Sequence, residues 1–158
     1  MGGVNDDEIA ALAAMTERYP LDLRFIELMP MTVCEDFGAE AYISCDAVIK
    51  ALPEMRETRE HSEGVARLYR LPGAKGSIGL ISPVSSHFCA ECNRIRLTAD
   101  GKLKPCLHSG DEYSLKGLDT EGMRSVLRDV IWNKPRWHGE MDAEHRSQSG
   151  RNMNEIGG

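Results

Sequence analysis

The chain has 158 residues, 41% hydrophobic and 28% charged, enough for one ordinary buried core and about one domain. A formal net charge of −6 argues against nucleic acid and against an anionic membrane surface as partners, so an anionic ligand would need a local basic cluster. No apolar run approaches the roughly 20 residues of a membrane span, and the opening MGGVNDDE lacks the basic and apolar regions of a signal peptide. The expectation is a cytoplasmic protein with reduced thiols. Its five cysteines, an odd number, then read as ligands or small buried hydrophobes rather than a disulfide framework.

In chain order, Asn5 and Glu8 have the spacing of a capping box, and Ile9, Leu12 and Met15 follow at helical spacing, which predicts a helix over 6–18. The run 21–28 predicts a strand ending near Pro30, with Arg24, Ile26 and Leu28 on one face. A second helix is expected after Ser44 as cap, with Val48, Ile49 and Leu52 as its apolar stripe and Pro53 as its stop. Residues 54–64 are polar and read as a solvated connector. Strands are expected over 66–71 and 77–82, separated by the turn-rich segment 72–76. Alternation on both sides of Asp100-Gly101 predicts a β-hairpin; with those two as turn residues, Ala99 pairs with Lys102 and Cys106 lies opposite Ile95. In any register Arg94 and Arg96 share a face. A helix over 120–133 should bury Met123, Val126, Leu127, Val130 and Ile131, and Pro135 closes it. The remaining tail has the composition of a frayed end.

The chemistry concentrates at Cys89-x2-Cys92-x13-Cys106. Two thiolates three residues apart, and a third returned by the hairpin, supply three ligands of a metal site and leave one position open. Spacing leaves three readings in play: zinc, with His108 or His87 as fourth ligand, an iron–sulfur cluster, or no metal at all. The pair Arg94 and Arg96 favours the second, because a closed structural zinc site has no use for guanidinium forks, which suit phosphate. Cys34 and Cys45 read as packing thiols. His87, His108, His138 and His145 read as structural or surface groups.

The block from Phe88 through Cys106 to Leu107 resembles the C-terminal cluster motif of the GTP 3′,8-cyclases of molybdenum cofactor biosynthesis, a family of radical-SAM enzymes. Further resemblance lies in Gly3-Val4-Asn5-Asp6-Asp7-Glu8, in Arg24-Phe25-Ile26-Glu27-Leu28-Met29-Pro30, and in the ending Arg151-x-Met153-x-x-Ile156-Gly157-Gly158. The resemblance implies an α/β fold, a C-terminal remnant of a partial TIM-type (radical-SAM) barrel plus an iron–sulfur subdomain with a β-hairpin. It divides the chain into barrel strands and helices over 1–64 and an auxiliary cluster and GTP-binding subdomain over 65–158. By the same resemblance Cys89, Cys92 and Cys106 hold a 4Fe-4S cluster whose free iron takes the purine of GTP. Arg94, Ile95, Arg96 and Arg24 line the GTP site, Met29 lies beside S-adenosylmethionine, and the Gly157-Gly158 tail enters the active site.

The chain departs from the family in one respect: it contains no C-x3-C-x2-C radical-SAM motif, and Cys34 and Cys45 cannot supply one. It is therefore expected to be the GTP-binding half of a lyase that converts GTP to its 3′,8-cyclo derivative. It would be inactive alone, with an N-terminal radical-SAM half or a second copy as partner. The competing expectation is a stand-alone zinc or iron–sulfur module with a scaffold or regulatory role. Read without the resemblance, Arg24 is a rim arginine paired with Glu27 or Asp22.

Overall fold

Alternating helical and strand periodicities build a mixed α/β structure, seen in a computed structural model that describes residues 1–31, 38–58, 64–142 and 145–157. The chain divides into two compact units, Met1–Leu28 with Phe37–Phe88, and Met29–Asp36 with Cys89–Gly158. Both run across the expected division at residue 64.

The first unit opens with turns and then α1 (Ile9–Arg18). The predicted capping box does not form. Glu8 is the N-cap and makes no side-chain cap bond, while the Asn5 Oδ1 accepts from the Met1 ammonium at 2.7 Å. The helix buries Ile9, Ala13 and Thr16, the last satisfied by its hydroxyl donating to the Ala13 carbonyl at 2.8 Å; Met15, expected inside, is exposed. Residues at i, i+4 and i+7 thus form the inner stripe, one turn-step round from the predicted one.

Next come β1 (Asp22–Ile26), α2 (Asp46–Ala51), β2 (Arg56–Glu57), β3 (Arg67–Arg70) and β4 (Ser77–Ile81). The sheet order is β1-β4-β3-β2, with β1 parallel to β4 and the other pairs antiparallel. β2 lies inside the stretch read as a connector: Arg56 and Glu57 pair with Arg70 and Tyr69, so tertiary pairing overrides a polar composition. Central β4 is buried, with Ile78 and Leu80 directed into the core alongside Leu23 and Phe25, their register partners on β1. α1 packs on β1, β4 and α2. α2 is preceded by Cys45 rather than Ser44 as cap, and Ile49 is exposed while Val48 and Leu52 are buried.

The second unit carries an antiparallel sheet of β5 (Arg96–Leu97), β6 (Lys102–Lys104) and β7 (Tyr113–Ser114), in that order. α3 (Thr120–Trp132) packs on β6, and its N-cap Asp119 accepts from the Gly122 N–H at 2.8 Å. Of its predicted apolar stripe only Val130 is buried, Val126 and Leu127 are half-buried, and Met123 and Ile131 are exposed. The tail is built rather than frayed: a capping box between Asn152 and Glu155 starts a short turn over Met153–Glu155, and Ser149 and Ile156 are buried.

Candidate metal and anion site

The hairpin that returns the third cysteine is offset by one residue from the expected register. Arg96 faces Lys104 and Leu97 faces Leu103, so the loop is Ala99-Asp100-Gly101 rather than Asp100-Gly101 alone. Its cause is Thr98. The Thr98 hydroxyl donates to Asp100 Oδ1 at 2.6 Å and accepts from the Lys102 N–H at 2.9 Å, the Gly101 N–H reaches the Thr98 carbonyl, and Gly101 takes φ 77°. A turn closed by a glycine in the left-handed region is the three-residue hairpin connection. Cys106 therefore does not lie opposite Ile95.

Cys89 and Cys92 stand at the ends of a tight turn, Cys89–Glu91 with the Cys92 N–H bonded to the Cys89 carbonyl at 3.2 Å. Both are half-buried, as is Cys106, and all are free thiols. Burial pushes the Cys89 thiol above its ordinary value, a backbone hydrogen bond from His138 lowers it, Cys106 and Cys92 raise it, and Lys134 lowers it. The three sulfurs are thus electrostatic neighbours in one unit. Among the described residues, no three His, Cys, Asp or Glu groups are gathered as a site for a single metal ion. An all-thiolate donor set fits an iron–sulfur group by its softness, and a cation placed among the sulfurs relieves their mutual repulsion.

His108, the candidate zinc ligand, is buried with Nδ1 3.1 Å from Ser147 Oγ and its ring 5.1 Å from that of His138. Burial and His138 lower its pKa to about 4, which keeps it neutral near pH 7. His87 Nδ1 sits 3.0 Å from the Pro83 carbonyl, and His145 lies 3.0 Å from Asp142. Cys45 is buried in the first unit's core, its thiol 3.5 Å from the Ile81 carbonyl. Cys34 and Gly158 lie outside the described residues.

Arg94 is exposed and Ile95 and Arg96 are half-buried. Arg96 Nη1 donates to the Gly157 carbonyl at 3.1 Å. Gly157 itself lies against the Leu97 carbonyl, so close that any Cβ there would overlap it. Met29 is half-buried; its carbonyl accepts from the Met31 N–H at 2.8 Å, and Pro30 accepts from Ser147 at 2.9 Å. Arg24 belongs to the first unit, where it borders a cleft of about 340 Å³ shared with Asn5, Asp6, Leu23 and Ser44. Its expected acidic partners are engaged elsewhere. Asp22 accepts from the Ser77 hydroxyl, and buried Glu27 accepts from the backbone N–H groups of Cys45, Val84 and Ser85 at 2.9–3.0 Å.

Sequence reading missed two groups. Arg151 grips Glu112 through Nε and Nη2, the latter at 2.8 Å, and the same Nη2 donates to Asp100 Oδ2 at 2.8 Å; Lys102 and fully buried Lys104 also reach Glu112, at 3.0 and 3.4 Å. These cations hold the Glu112 carboxyl down at about 2, and Arg151 together with the Thr98 hydroxyl holds Asp100 well below the usual carboxylate range. The cluster pins the tail to the hairpin loop and to β6. The other is Lys134, whose Nζ donates to the Arg94 and Pro105 carbonyls.

Residues 21–140 match the family described as Molybdenum Cofactor Synthesis C. The chain belongs to that family. It is 42% identical over 163 residues to a GTP 3′,8-cyclase of Alkaliphilus oremlandii, covering 100% of this chain and 50% of that protein. It is 44% and 45% identical to the GTP 3′,8-cyclases of Alkaliphilus metalliredigens and Peptoclostridium acidaminophilum, again over 100% of this chain and 50% and 49% of theirs. This member of the Molybdenum Cofactor Synthesis C family thus spans about half the length of the curated relatives it matches.

Proposed function

We propose that this chain is the GTP-binding, auxiliary-cluster half of a GTP 3′,8-cyclase in molybdenum cofactor biosynthesis, working in the cytoplasm. The observation that carries the reading is three thiols, Cys89, Cys92 and Cys106, in one unit with Arg94 and Arg96, in a chain whose full length matches cyclases. Residues 1–64 would contribute barrel elements, β1 among them, and 65–158 the cluster subdomain.

Cys89, Cys92 and Cys106 would hold a 4Fe-4S cluster, which when bound supplies an iron with an open position for a purine. Around it, Arg94 and Arg96 offer guanidinium forks to phosphate or carbonyl oxygens, and Ile95 between them is half-buried. Arg24 would add a further cation, Met29 would lie beside S-adenosylmethionine, and the Gly157-Gly158 tail would close over the substrate. Such residues position the ribose and base for an intramolecular bond, and orientation of this kind removes much of a barrier. The radical source belongs to a segment carrying C-x3-C-x2-C, which this chain lacks, so alone it would bind GTP without converting it.

Anaerobic reconstitution followed by iron, sulfide and zinc analysis tests the site. About four irons and four sulfides per chain, lost in Cys106→Ala, is the expected result. Stoichiometric zinc without labile sulfide would refute it and leave the stand-alone module. In the reconstituted chain Arg96→Ala should weaken GTP binding by roughly 10- to 100-fold, the worth of one charge-assisted contact; unchanged affinity would remove GTP from the reading.

A further inference from the structure

The β5–β6 ladder ends at Arg96 and Lys104, two residues short of Cys106, which lies beyond β6, and four short of Cys92. Past that last rung the ladder no longer joins the segment after Cys92 to the one before Cys106. Lys134, two residues beyond the end of α3, bridges this gap. Its Nζ donates to the Arg94 carbonyl at 3.0 Å and to the Pro105 carbonyl at 2.8 Å, one on each segment. Three N–H donors on one compact head let an ammonium bind two chains at once.

We propose that Lys134 is a positioning residue of the three-thiolate site: it ties the Cys92 and Cys106 arms together through the Arg94 and Pro105 carbonyls. The inference rests on the cluster reading above. The same contact fixes the backbone of Arg94, which couples the cluster seat to the proposed anion site.

The test compares the full chain with Lys134→Met and Lys134→Arg after anaerobic reconstitution, reading iron and sulfide content per chain. Lys134→Met should lower cluster content, and Lys134→Arg, which restores the donors, should recover it. Unchanged content in Lys134→Met would overturn the proposal, as would equal damage in both variants. A parent chain that takes up zinc without sulfide fails the cluster reading itself. The staple is then read from zinc affinity, which must still fall in Lys134→Met and recover in Lys134→Arg.

Discussion

Arg24 and Gly79 are register partners on the parallel pair β1 and β4, and a Cβ on Gly79 would come within 2.7 Å of Arg24 Cδ and 2.9 Å of its Nη1. The arginine stem lies flat over the glycine, which therefore sets its direction. Gly79→Ala should divert that side chain with little effect on folding, and GTP affinity of the reconstituted chain should fall as it does in Arg24→Ala. The double variant should lose no more than Arg24→Ala alone, because both changes act through one guanidinium. Additive losses would show that Gly79 matters for another reason. At this scale the approach of the three thiols to one another and the common face of Arg24 and Ile26 were legible, since close spacing and period-2 alternation are local properties. Glu27 was not. Its role depends on N–H groups from Cys45, Val84 and Ser85, which become its neighbours only once the sheet has formed.

Among elements, the hairpin teaches the same lesson more sharply. Asp100-Gly101 announced a turn, and a turn is there, but Thr98 chose a three-residue loop through its own hydroxyl and moved every cross-strand partner by one. The tail was misread for a related reason: its order comes from Arg151 bridging to Glu112 and Asp100, partners about 40 and 50 residues away that no local window contains. That bridge makes a pH prediction. Arg151, then Lys102 and Lys104, lower the Glu112 pKa from 4.5 to about 2, so between those values the folded chain binds fewer protons than the unfolded one. Its contribution to stability is complete above about pH 4.5 and is lost as pH falls toward about 2. Urea unfolding at pH 6 and at pH 2.5 should therefore show Glu112→Gln less stable than the parent chain at the higher pH, with the gap narrowing at the lower. A gap independent of pH would mean that the carboxylate charge contributes nothing.

Among the described residues, mixed α/β order and the positions of α1, α2 and α3 could be read from periodicity, whereas the sheet order and the two packing units could not. β1 reaches its partner β4 only after α2, β2 and β3, a pairing that no strand pattern encodes. The exposed apolar side of α3 has a different significance. A helix with a strong 3.6-residue stripe was expected to bury it, yet Ile131 is 56% exposed and Met123 38%, and Trp132 beside them is 86% exposed. In a chain that spans half of its relatives, such a stripe is as informative about what is covered elsewhere as about this core.

Both tryptophans of the sequence, Trp132 and Trp137, lie in the unit that carries Cys89, Cys92 and Cys106, and Trp137 directly precedes the residue whose backbone bonds the Cys89 thiol. A cluster held by those thiols would give the molecule its own optical gauge. Iron–sulfur chromophores absorb across the range in which indole emits, so ultraviolet-excited emission should dim stepwise as the site fills and return when chelator empties it. Trp132, facing water, supplies the red-shifted remainder. Emission that stays constant while iron and sulfide are taken up would place the chromophore away from Trp137, and with it the seat assigned to these thiols.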